Sequence, residues 1–142
     1  MPQAVTLTDI NNIQVGVDGN PIAVSLPTVV CFSSGNTPGA QAQVSIPAVA
    51  GKTAYVTSID FTSGGSTAAA VVNATLAGLV GGTTLQFAYG TLANNAADNK
   101  EFFRDFVNPI PANAPNTAIV WTVSSLGAGN LRAYANIYGF YK

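Results

Sequence analysis

The sequence predicts an all-β domain in which short strands form a sandwich or a barrel. Proline and glycine interrupt the chain at short, even intervals, and the segments between them are rich in β-branched and aromatic residues. Three of these segments alternate large apolar with polar side chains, which is the two-residue period of a half-buried strand. The length of 142 residues fits a single domain.

Nine segments fit a strand, and nine short strands are typical of a sandwich or barrel. In chain order they are residues 13–17, 28–32, 40–46, 53–61, 69–79, 84–89, 102–107, 117–124 and 131–141. Helix competes for residues 68–79, but Val71, Val72 and Thr75 are β-branched and no capping box precedes them. Residues 92–101 are compatible with one helical turn between two strands.

Alternation along the strands predicts which side chains face the core. Ile119, Trp121 and Val123 share one face of the strand at 117–124. The last strand has a small apolar face, made of Leu131, Ala133, Ala135 and Ile137, and an opposite face made of Arg132, Tyr134, Asn136 and Tyr138. The second face is expected to be wet or to contact a partner. The proline-rich segment after residue 107 predicts a connection of fixed shape.

Residues 1–27 differ from the rest, because they contain several polar turns and few large hydrophobic side chains. One interpretation is an extended N-terminal arm that grips a neighbouring subunit by adding a strand to its sheet. The other is a first hairpin of the same sandwich. The domain itself is predicted to span residues 28–142.

The composition excludes several classes of function. Only 8% of the residues are charged, with 5 Lys and Arg and 6 Asp and Glu, whereas a typical domain has about 25%. Five cations can hardly build a patch for nucleic acid or for a membrane surface. The absence of histidine removes Ser-His and Cys-His nucleophile pairs and His-ligated metals. No secretion signal or membrane span is predicted, and the protein is expected to be made in the cytoplasm.

No residue pattern predicts an enzyme, a metal site or a cofactor site. Glu101 and Asp105 would lie on the same side of a strand about 13 Å apart, too far for a pair of catalytic carboxylates. The turns at Asp9 and Asp18 each have too few carboxylates for a calcium loop. Cys31, the single cysteine, is expected to be a small buried side chain in a strand.

Two groups of residues are candidates for a subunit or partner interface. The first is the aromatic and charged run of Phe102, Phe103, Arg104, Asp105 and Phe106, a combination that the centres of interfaces favour. The second is the group of C-terminal tyrosines, Tyr134, Tyr138 and Tyr141. An alternative is a sugar-binding platform, in which Tyr89, Tyr134, Tyr138, Phe140 and Tyr141 would act with Asn130 and Asn136.

Residues 51–142 resemble the small structural proteins of tailed bacteriophages, in particular the trimeric head-decoration (cement) proteins. The resemblance rests on the order of the strands, the proline-bearing loop before the Trp121 strand, and the aromatic ending at residues 137–141. It implies a two-sheet jelly roll, assembly as a homotrimer and attachment to the major capsid protein at the surface of the virion. The alternative is a receptor- or carbohydrate-binding jelly roll of a tail or fibre.

Overall fold

A computed structural model describes residues 7–8, 14–15, 27–91 and 100–142. The strands between residues 28 and 141 form a two-sheet antiparallel β-sandwich, and the two short strands before them form a separate two-stranded sheet. The strands are β1 (Leu7–Thr8), β2 (Gln14–Val15), β3 (Thr28–Ser33), β4 (Ala42–Ile46), β5 (Ala54–Gly64), β6 (Ala70–Ala77), β7 (Leu85–Thr91), β8 (Lys100–Pro111), β9 (Ile119–Val123) and β10 (Arg132–Tyr141). A short 3-10 turn, Val80–Gly82, follows β6. The prediction of an all-β sandwich is confirmed, and the segment for which helix competed is strand β6.

The connectivity of the two sheets is that of a jelly roll. One sheet has the order β3-β10-β5-β8 and the other has the order β4-β9-β6-β7. The pairs β3 with β10, β4 with β9, β5 with β8 and β6 with β7 are the nested pairs of one long hairpin. Rolling such a hairpin places its pairs alternately in two sheets, which is how a jelly roll closes around its core.

The core lies between the two four-stranded sheets and is made of alternate residues from their strands. Its largest fully buried side chains are Trp121, Phe61, Ile46, Ile59 and Leu76. The Trp121 indole N–H donates to the carbonyl oxygen of Asp60 at 3.0 Å, which joins β9 of one sheet to β5 of the other. This bond satisfies a polar group that would otherwise be costly to bury.

Strand β8 is longer than the sequence predicts, since it continues through Pro109 to Pro111. Proline lacks the N–H that a central strand needs, but β8 lies at the edge of its sheet and pairs only with β5. The register of β5 and β8 shifts between Val56 and Ser58. Val56 pairs with Ile110 and Ser58 with Asp105, so β8 has more residues than β5 between these two pairs. The prediction of a proline-stiffened loop is therefore wrong for residues 108–111.

The predictions for Cys31 and for the N-terminal arm have different outcomes. Cys31 is exposed on edge strand β3, so the expectation that it is buried is wrong. Within the predicted arm, β1 and β2 pair with each other, with Leu7 opposite Val15. Residues 1–6, 9–13, 16–26 and 92–99 lie outside the described residues, and with them most of the predicted arm and of the predicted helical turn.

Candidate functional site

The outer face of sheet β3-β10-β5-β8 gathers several of the predicted interface residues. The register aligns Ser33, Asn136, Asp60 and Phe103 in one row across the four strands. The next row contains Cys31, Tyr138, Ser58 and Asp105. We call this surface the aromatic face, defined by Val29, Cys31, Tyr55, Asp60, Phe103, Asp105, Tyr134, Asn136, Tyr138 and Phe140.

A buried carboxylate lies at the centre of the aromatic face. Asp60 is only 9% exposed. Its Oδ1 accepts a hydrogen bond from the Asn136 amide at 2.5 Å, and its Oδ2 accepts one from the Tyr138 hydroxyl at 2.8 Å. Both donors are neutral, and they come from β10, the neighbouring strand. The three side chains form a fixed polar group on an otherwise aromatic surface.

The same contact changes the acidity of Tyr138. The hydrogen bond to Asp60 raises the pKa of Tyr138 to about 12, with smaller contributions from burial and from the charge of Asp60. The hydroxyl therefore stays protonated, and continues to donate, well above the pH at which a free tyrosine ionises. Because the proton is held on the phenol, this tyrosine is a positioning group and a poor candidate for a general base.

Exposed apolar side chains surround the polar group. Phe103 is 56% exposed on β8 and stands directly opposite Asp60, while Val29 is 79% exposed on β3. Tyr134 is exposed on β10, opposite Thr62. Exposed aromatic side chains grouped on one surface are typical of protein interfaces.

A stacked aromatic pair closes one end of the face. The rings of Tyr55 and Phe140 are 5.0 Å apart and nearly parallel. The ammonium of Lys142 lies 5.5 Å from the centre of the Tyr55 ring and 5.8 Å from that of Phe140. A cation over aromatic rings is stabilised by their negative faces. Backbone bonds between Thr53 and Lys142 fix this end of the sheet.

Some predicted interface residues lie elsewhere. Phe102 turns inward, with its ring 5.4 Å from that of Phe87, and Phe106 packs partly buried against the core. Arg104 is exposed but pairs with the inward-facing Ile59, on the side of β8 away from the aromatic face. Tyr141 is buried, where its hydroxyl donates to the Pro47 carbonyl at 2.8 Å and burial raises its pKa.

The proposed sugar platform is only partly assembled. Tyr89 and Tyr141 are buried between the sheets, whereas Tyr134, Tyr138 and Phe140 lie on the aromatic face. Asn130 is also buried, and its side chain forms hydrogen bonds with the backbone of two other segments and of its own. Its amide donates to the carbonyls of Gly64 and Arg132, and its Oδ1 accepts from the backbone N–H of Gly39. Asn136 is therefore the one amide of the predicted pair that reaches this surface.

Asp60, Val29 and Cys31 were not among the predicted interface residues. A signal for Asp60 exists, because it is the one charged residue between Thr53 and Gly64, in a strand whose other side chains are all neutral. Val29 and Cys31 reach this surface because β3 pairs with β10, a contact between residues about a hundred positions apart in the chain.

Within the described residues, no group of three or more His, Cys, Asp or Glu side chains could hold a metal ion. The same part of the chain contains no helix long and apolar enough to cross a membrane. Comparison with models of known protein families finds no matching family, and comparison with curated proteins finds no matching relative.

Proposed function

We propose that this chain is a non-enzymatic structural protein of a phage virion, a trimeric decoration protein that binds the major capsid protein at the capsid surface. The resemblance to the head-decoration proteins supports the identity of the partner. The aromatic face is the observation that carries the proposal, since it provides a surface suited to docking on another protein. The jelly-roll connectivity agrees with the resemblance.

The chemistry of the aromatic face favours binding to a protein surface. Burying an exposed phenylalanine removes apolar area from water, which stabilises a complex by roughly 25 cal/mol per Å². Asp60 already has its hydrogen bonds inside the chain, so a partner can cover it without breaking them. Aromatic side chains that flank such a centre are the residues on which binding energy concentrates.

Glu101 and Asp105, the two carboxylates of β8, are too far apart to act as a catalytic pair. Glu101 pairs with Thr62 and Asp105 with Ser58, so the two remain four residues apart along β8, or about 13 Å at 3.3 Å per residue. A retaining or inverting glycosidase needs its two carboxylates about 5 to 9.5 Å apart.

Co-sedimentation with purified phage heads that lack this protein tests the proposal. The wild-type chain should pellet with the heads, and Phe103→Ala should weaken binding about tenfold or more, which corresponds to about 1.4 kcal/mol. Leu131→Ala is the matched control, because Leu131 is similarly exposed, at 61%, but lies outside the aromatic face. If wild type and Phe103→Ala bound equally well, the aromatic face would not be the surface that binds the capsid.

The second candidate is a receptor- or carbohydrate-binding module of a tail or fibre. It is favoured by one observation, that Tyr134 is exposed on the same face as Asn136 and Asp60. Aromatic rings beside amide and carboxylate groups can stack on a sugar and bond to its hydroxyls. A glycan-array signal that Tyr134→Ala or Tyr138→Ala abolishes would support this candidate, with Leu131→Ala again as the control.

A further inference from the structure

In the described part of the chain, all the charged residues that lie within strands belong to one of the two sheets of the sandwich. Strands β5, β8 and β10 of the aromatic-face sheet contain Asp60, Lys100, Glu101, Arg104, Asp105 and Arg132. Lys52 lies in the loop between β4 and β5, and Lys142 directly follows β10. In contrast, none of the four strands of sheet β4-β9-β6-β7 contains a charged residue.

The outer side of this second sheet is a neutral face. It consists of Gln43, Ser45, Val71, Asn73, Thr75, Ala77, Gln86, Ala88, Gly90, Val120 and Thr122. The register places Gln43, Thr122, Thr75 and Gln86 in one row across all four strands. Within that row the Gln43 amide donates to the Thr122 hydroxyl at 3.0 Å.

The polar side chains of the neutral face can form hydrogen bonds with the same side chains of another copy. Amides and hydroxyls both donate and accept hydrogen bonds, so the row can bond to the same row of another copy. Val71 is 76% exposed, and Ala88 and Gly90 are also exposed, which provides apolar area for burial. When two such faces meet, none of these residues has to lose the hydration of a charge, and burying an unpaired charge costs several kcal/mol.

We propose that the neutral face is the surface that copies of this chain bury against one another. That three copies assemble rests on the proposed function, which includes a trimer. A second copy fits this face better than a partner with a charged surface, because the face offers no counter-ion to such a partner.

The width of the sheet agrees with a threefold arrangement. Four strands about 4.8 Å apart span about 19 Å. If three such sheets form the sides of a triangular prism, each sheet lies about 5.5 Å from the threefold axis. This distance is close to half of the ~10 Å that separates two packed sheets. Glutamine is the longest side chain on the face, so the side chains can fill the space around the axis without forcing the sheets apart.

Charge insertion tests the inference, with the native mass read by sedimentation equilibrium or native mass spectrometry. The wild type is expected at three times the chain mass of 14.4 kDa. Thr75→Lys should reduce it to the mass of one chain. Thr62→Lys is the matched control, because Thr62 is equally half-buried but lies on the outer side of the other sheet, and it should retain the wild-type mass.

Ala88→Lys keeps the test valid if Thr75→Lys fails to fold. Ala88 is exposed, so a lysine there meets only solvent in a single chain and still places a charge in the proposed contact. An assembled wild type that falls to one chain in a folded Thr75→Lys or Ala88→Lys variant supports the inference. Variants that keep the wild-type mass while folded overturn it and leave the trimer to another surface.

The mass also separates this inference from the proposed function. A wild type of two chains that dissociates in Ala88→Lys supports the neutral face and contradicts the threefold arrangement. A wild type of one chain overturns both the inference and the trimer, whereas attachment to phage heads is decided separately by co-sedimentation.

Discussion

Replacing Tyr138 by phenylalanine removes a single hydroxyl from the centre of the aromatic face. That hydroxyl donates to Oδ2 of Asp60 at 2.8 Å, and the carboxylate is 9% exposed, so water can only partly replace the lost donor. The Asn136 amide would still donate to Oδ1. We expect the variant to fold with one of the two bonds to Asp60 missing.

Two routes give the size of the effect. A hydrogen bond to a charged group contributes about 1.5–3 kcal/mol. The rise in the pKa of Tyr138 from 10.0 to about 12 corresponds to about 2.7 kcal/mol, which the partial exposure of the side chain reduces. We therefore expect Tyr138→Phe to lower the free energy of unfolding at pH 7 by about 1–2 kcal/mol.

The pH dependence has a definite sign. The folded state holds the Tyr138 proton more tightly than the unfolded chain does, so this contribution is complete below pH 10 and is lost as the pH rises towards 12. The difference in stability between wild type and Tyr138→Phe should stay constant from pH 7 to about pH 9.5 and then shrink. Taking the difference removes the titration of Tyr141 and the other tyrosines.

Urea denaturation at a fixed protein concentration, repeated from pH 7 to pH 11.5, measures both quantities. Tyr134→Phe is the control, since Tyr134 lies on the same strand and face but is exposed, and we expect it to change stability by less than about 0.5 kcal/mol. If Tyr138→Phe were as stable as wild type at pH 7, or if their difference did not change above pH 10, the assignment of this bond would be wrong.

Three further substitutions test how the sandwich is held together, each measured by urea denaturation. Gly139→Ala should destabilise by about 3 kcal/mol, because its Cβ would overlap the Tyr55 carbonyl and lie 2.6 Å from the Ile46 side chain; a neutral result would contradict this close approach. Trp121→Phe should cost about 2 kcal/mol, since it leaves the Asp60 carbonyl without its buried donor, and a loss below 0.5 kcal/mol would mean that the bond between the sheets is unimportant. Ser63→Ala should cost about 1 kcal/mol through the bond between the Ser63 and Tyr89 hydroxyls, with an unchanged midpoint as the contrary outcome.

The sequence predicts the strands well, because strand signals are local. The alternation in β9 and β10 identifies Trp121, Ala133, Ala135 and Ile137 as core residues, and all four are buried. The alternation also predicts Leu131 on this apolar face, but it is 61% exposed, because it lies before the first residue of β10, where the period of two no longer applies.

The composition of the aromatic face depends on contacts that local patterns do not encode. The strand order β3-β10-β5-β8 determines which residues of β3, β5 and β8 lie beside Tyr138. That order depends on the whole chain and not on any one segment. Phe102 and Phe103 are adjacent aromatics, yet the strand period sends the first to the core and the second to the surface. The sequence predicts both as interface residues, because the pattern alone does not indicate which side of β8 faces the core.

Co-sedimentation with purified phage heads that lack the chain decides whether it binds the capsid surface. We expect wild type and Leu131→Ala to pellet with the heads, and Phe103→Ala to bind about tenfold more weakly or worse. Wild-type chain that remains in the supernatant with such heads would contradict the proposed role as a capsid decoration protein.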